Sequence, residues 1–98
     1  MTITKNLNDG TLNVAVEGRL DTLTCEELDS SLKESMPKAD KVILDFAKLD
    51  YISSAGLRVV LQAHKAMSGK GGLSLINLND IVKEVFEVTG FTDILDIR

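Results

Sequence analysis

Two adjacent hydroxyls mark this chain: Ser53 and Ser54, in the run Asp50-Tyr51-Ile52-Ser53-Ser54-Ala55-Gly56-Leu57. They fall where an apolar strand and loop give way to a helical pattern. A helix start leaves backbone N–H groups without intrahelical partners, and a serine oxygen accepts from them. The same N–H groups and the helix dipole favour a phosphate there. Serine in this place can therefore cap the helix, carry a phosphate or act as a nucleophile.

A nucleophilic serine needs a base within hydrogen-bond reach. The only histidine, His64, lies ten residues beyond Ser54 in the same helical pattern, and ten residues of helix rise about 15 Å. Ser-Ser-Ala-Gly-Leu also fails to match the G-x-S-x-G nucleophile elbow. A small serine-dependent hydrolase is thus disfavoured, and His64 reads as a helix-face residue at the core edge. Gly69-Lys70-Gly71-Gly72 runs from helix to strand, the reverse of a phosphate loop, and reads as a helix end and turn. Cys25 sits in a first helical turn, where the dipole lowers a thiol pKa. It also lies on an apolar stripe, so a buried, inert thiol is expected. No His, Cys and carboxylate cluster has metal-ligand spacing, and neither a metal nor a cofactor is expected.

The two serines remain, with a helix cap and a regulatory site both open. One can cap while the other faces outward. Arg58 lies four residues after Ser54, on the same helical face, where it can pair with a phosphate or meet an acidic partner.

The elements that must position these residues follow from periodicity. Residues 2–7 and 11–17 read as strands joined by the hairpin signal Asp9-Gly10, with Gly18 ending the second. Thr24 and Glu27 have the spacing of a capping box. Cys25, Leu28, Leu32 and Met36 form a helical stripe that Pro37 closes. Lys41 to Phe46 is a strand with Val42, Leu44 and Phe46 on one face. Leu57, Val60, Leu61, His64 and Met67 follow helical spacing. Leu73 to Ile76 is a strand. Asn79 or Asp80 caps a last helix carrying Ile81, Val82, Val85 and Phe86, and residues 91–98 add a short strand or turn. Strands separated by helices pair in parallel through right-handed crossovers. Polar Asn13, Glu17, Lys41, Asp45 and Ser74 alternate with aliphatic residues, so one sheet face should be largely free of helices. Ile43 and Ile76 call for partial shielding of that face.

The chain has 98 residues, room for one small domain. It is 44% hydrophobic, but only 4% aromatic with no Trp, so the core must be aliphatic. A net charge of −4 argues against nucleic acid or anionic lipid as a partner. No apolar run approaches the roughly 20 residues of a membrane span. Met1 to Asn6 lacks the pattern of a signal peptide, and the single cysteine forms no internal disulfide. A cytoplasmic protein is expected.

Taken together, the hairpin start, Gly18-Arg19-Leu20-Asp21, Val42-Ile43-Leu44-Asp45-Phe46, the serine segment and Val85-Phe86-x-x-x-Gly90-Phe91 resemble the bacterial anti-sigma factor antagonists, which are single STAS domains. The resemblance covers nearly the whole chain. It implies one STAS-like α/β domain over residues 1–98. The sheet would be mixed and four- to five-stranded, with an antiparallel N-terminal hairpin, a parallel remainder and helices mainly on one face. It implies a regulatory binding module rather than an enzyme, monomeric when free. The partner would be an anti-sigma factor with serine kinase activity. Binding would release a sigma factor, and phosphorylation would switch binding off. The family's phosphorylated serine falls on Ser54. The preceding position, commonly Asp in the family, is Ser53 here, which removes a carboxylate beside the acceptor. Asp21 matches the family's Leu-Asp turn, and Asp45 a position often Asn or Asp. Asp21, Asp45, Ser53, Ser54, Gly56 and Arg58 are the expected partner-binding residues. Gly56, without a side chain, would let a partner's backbone approach. The alternative within the same fold is an adaptor subunit of a membrane-transport ATPase complex.

Overall fold

At Asp9-Gly10 the chain reverses with φ values of 52° and 82°, both positive, as a two-residue type I′ hairpin turn requires. The computed structural model describes residues 1–98. The turn joins β1 (Thr2–Asn8) to β2 (Thr11–Leu20). Then follow α1 (Cys25–Ser35), β3 (Lys41–Ile52), α2 (Ser54–Met67), β4 (Leu73–Ile76), α3 (Asp80–Val88) and β5 (Asp96–Ile97), with 3-10 turns at Met36–Lys38 and Phe91–Asp93.

The five strands form one sheet in the order β1-β2-β3-β4-β5. β1 is antiparallel to β2, and every later pair is parallel. Right-handed crossovers that all step the same way across a sheet place their helices on the same side. Accordingly Val14, Leu44 and Leu75 from the strands share one core with Leu28, Val60 and Phe86 from the three helices. Phe46 and Phe86 are fully buried, each contributing about 1.5–3 kcal/mol over an exposed position.

The other face is only partly wet. Asn13 is exposed, and Ile43 and Ile76 are half-buried. Ser74, expected on a solvated face, is buried at 3% exposure because β5 pairs beside it. Its hydroxyl donates to Asp96 Oδ2 at 2.7 Å. That bond, first, and the Arg98 side chain hold the Asp96 carboxyl below the usual aspartate value.

Two strands outrun their sequence signal. β2 does not end at Gly18 but passes through it, with φ of 100°, to Leu20. β3 continues past Phe46 to Ile52, with register shifts opposite Val16 and between Gly18 and Arg19. The bulges break the two-residue alternation, so the inward residues become Phe46, Leu49 and Ile52. The expected capping box is also absent. Thr24 makes no side-chain cap bond; its hydroxyl donates instead to the Arg19 carbonyl at 2.7 Å. Asp21 instead closes the turn before α1, its Oδ1 accepting from the N–H groups of Leu23 and Thr24 at 3.0 and 3.1 Å.

Candidate functional site

The long β2–β3 ribbon carries Leu20 and Ile52, paired in register, to the start of α2. Ser53 follows in an extended conformation and is the N-cap residue. Its N–H donates to the Leu20 carbonyl at 2.9 Å, and its carbonyl accepts from Leu57 N–H at 2.9 Å. Its Oγ accepts from Gly56 N–H at 3.4 Å, a long bond at the weak end of capping. The cap role therefore goes to the first serine of the pair.

Ser54, the first residue of α2, is exposed, and its hydroxyl has no hydrogen-bond partner within the chain. It rims a shallow depression of about 250 Å³ between α2 and the end of α3, lined by Leu57, Arg58, Leu61, Thr89 and Phe91. Gly90, at φ 79°, ends α3 and turns Phe91 into this wall. Arg58 is exposed and enters no ion pair. Nothing in the sequence assigns Leu61, Thr89 or Phe91 to the site. Leu61 stands in the sequence only as part of a helical stripe, and Phe91 only as part of the Val85-to-Phe91 stretch.

Gly56 departs from expectation. It is buried, and a Cβ there would lie 2.7 Å from Leu20 Cγ and 2.9 Å from both Ile52 Cγ1 and the Leu20 carbonyl oxygen. Its missing side chain lets α2 start against the end of β2. It leaves no opening for a partner's backbone.

Asp21 shares this end of the sheet, one residue beyond Leu20. Partial desolvation pushes its carboxyl up. The hydrogen bonds from Thr24 and Leu23 N–H and the Thr24 hydroxyl, with the Arg19 charge, outweigh that and hold it below the usual aspartate value. Arg19 lies over the Tyr51 ring at 4.4 Å and 3.7 Å from Asp21 Oδ2, so a paired cation flanks the turn.

Asp45 is not part of this cluster. It lies eight residues before Ser53 along β3, up to about 25 Å away at strand rise. Its Oδ1 accepts from Ala47 N–H at the bulge, at 3.0 Å, and from Asn77 Nδ2 at 3.1 Å. Its carboxylate holds the bulge and the turn after β4 in place. Cys25 is half-buried rather than buried, its thiol 3.6 Å from the Thr22 carbonyl oxygen. His64 is half-exposed, and its Nδ1 is shielded without a hydrogen-bond partner. No group of three or more His, Cys, Asp or Glu could hold a metal ion, and no helix is long and apolar enough to cross a membrane.

A mixed sheet sheathed on one side, displaying an unengaged serine at a helix start, defines a small α/β domain built around one helix terminus rather than a deep pocket. The family model of the STAS domain matches residues 2–98, and the chain belongs to that family. BtrV of Bordetella bronchiseptica, named as an anti-sigma factor antagonist, is 39% identical over 99 residues, covering 99% of this chain and 85% of that one. The fold is shared with a solved anti-sigma factor antagonist from Mycobacterium paratuberculosis, with a TM-score of 0.90 at 16% identity over 98% of this chain and 83% of that one. It is also shared with the Bacillus cell fate determinant SpoIIAA in its phosphorylated form, with a TM-score of 0.76 at 18% identity over 99% and 91% of the two chains.

Proposed function

We propose that this chain is an anti-sigma factor antagonist. It binds an anti-sigma factor that is also a serine kinase, through the surface around the start of α2, and so frees a sigma factor. Phosphorylation of Ser54 ends the binding. The observation that carries this reading is the division of labour between the two serines: Ser53 caps α2, which leaves the Ser54 hydroxyl exposed and unbonded. The name of BtrV supports it. Asp21, Ser53, Ser54 and Arg58 lie at one end of the molecule and belong to the proposed interface, with Ser54 at its centre. The chain acts as a binding module, a reading that its membership of the STAS family supports.

The energetics of such a switch are adequate. A phosphate adds about −1.5 to −2 charges at neutral pH. The N-terminus of α2 favours that charge by about 0.3–1 kcal/mol, so the free domain stays folded. The loss falls on the interface, where a bulky dianion must be desolvated against the partner. A change from mostly bound to mostly free needs about 5.5 kcal/mol of difference. Pull-down from the native cell, with intact mass of the recovered chain, tests the reading. A kinase-fold anti-sigma factor should come down with the unmodified chain, and a phosphorylated pool should come down alone. Recovery of a transporter ATPase instead would overturn it.

A further inference from the structure

We infer that Arg58 is a built-in clamp for a phosphate on Ser54, so that modification both adds a dianion and removes the site's free cation. This rests on the proposed phosphorylation of Ser54 and deepens it.

Ser54 and Arg58 stand four residues apart on α2 and rim the same depression. Side chains on a helix lean toward its N-terminus, so Arg58 reaches back over Ser54. An anion N-terminal to a cation at this spacing is the favoured order. The guanidinium is committed to nothing else, for it is exposed and makes no ion pair. Its planar fork matches phosphate oxygens in a bidentate way that a lysine cannot. Leu61, further along α2, and Phe91 on the facing wall exclude some of the water that would otherwise screen the pair.

The unmodified chain therefore presents a positive charge beside a neutral hydroxyl. The modified chain presents an internally paired phosphate, with Arg58 withdrawn from any acidic group on the partner. One covalent event reverses the local sign and hides the residue that made it positive.

The clamp itself is tested without the kinase or the anti-sigma factor. Phosphoserine is installed at position 54 of the full chain by amber suppression, and the second ionisation of the phosphate is followed by 31P NMR titration. That ionisation lies at about pH 6 for an isolated phosphoserine. In the Arg58→Gln chain the midpoint should rise relative to wild type by about 0.2–0.4 pH unit, the ion-pair gain of an i,i+4 pair expressed as a pKa shift. The Arg58→Lys chain should fall between the two. The Gln comparison removes the helix dipole from consideration, since all three chains share it. Equal midpoints in all three would overturn the clamp while leaving the switch intact. A clamp seen in the installed phosphoserine, but no Ser54 modification by any kinase that binds the chain, would instead sink the proposed function.

Discussion

The backbone N–H of Ser53 donates to the carbonyl of Leu20 at 2.9 Å, which ties the cap of α2 to the last residue of β2. The Asp21 turn and the Ser54 hydroxyl are therefore held by one rigid junction. Gly56 completes it, because a Cβ there would stand 2.9 Å from the same Leu20 carbonyl oxygen and 2.7 Å from Leu20 Cγ.

Gly56→Ala should accordingly overpack this junction. The expected cost is about 1–3 kcal/mol, typical of an extra methyl in a filled site. Urea denaturation measures it. An unchanged midpoint would mean that the junction has slack and does not fix the start of α2.

The two serines should separate cleanly. Ser53→Ala removes a cap and should cost about 0.5–2 kcal/mol, toward the lower figure because the Oγ to Gly56 N–H bond is long. Ser54→Ala should leave the melting temperature nearly unchanged. Site mapping by mass spectrometry after incubation with the cognate kinase and ATP should find phosphate on Ser54 in wild type and in Ser53→Ala. Phosphate on Ser53 would reverse the assignment.

Asp21 predicts an acid limb. Its folded pKa lies below the ordinary aspartate value, so the folded state favours the ionised form. The stabilisation is fully present above the unfolded pKa of about 3.9. It is lost as pH falls from there through the folded pKa. Asp21→Asn should flatten the stability profile below about pH 4 relative to wild type. Parallel acid limbs in the two chains would show that Leu23, Thr24 and Arg19 do not hold the carboxylate as described.

Asn79 serves two elements. Its side chain caps α3 by accepting from Val82 N–H at 2.8 Å, and its Nδ2 donates to the Leu49 carbonyl of β3 at 2.8 Å. Asn79→Ala should cost roughly 2 kcal/mol, since a cap is lost and a carbonyl is left unpaired. Asn79→Asp keeps the cap but not the donor, and should recover about half of that loss. Equal destabilisation by the two substitutions would rule out a separate contribution from the cap.

Much of this architecture was legible in the chain because the signals were local. Asp9-Gly10 named the hairpin, and the alternation of Val42, Leu44 and Phe46 named the central strand. The stripes of α1 and α2 fixed one face. What stayed hidden depended on distant partners. The bulges opposite Val16 and before Tyr51 turn a period of two into a spacing of three at Phe46, Leu49 and Ile52, which reads as a loop. Thr24 and Glu27 spell a capping box, but the Arg19 carbonyl and Asp21 compete for the Thr24 hydroxyl. Gly56 looked like an opening because the Leu20 that fills it stands 36 residues earlier. Asp45 matches the site by likeness alone, whereas its Oδ1 accepts from Ala47 N–H and Asn77 Nδ2, away from the start of α2.

In the proposed switch, charge at Ser54 governs binding of the anti-sigma factor. Calorimetric titration of wild type, Ser54→Ala and Ser54→Asp chains against that partner tests it most directly. The alanine chain should bind as wild type does. The aspartate chain should bind at least tenfold more weakly, a difference of about 1.4 kcal/mol, with all three equally folded by circular dichroism. Equal affinities for the wild-type and aspartate chains would contradict it.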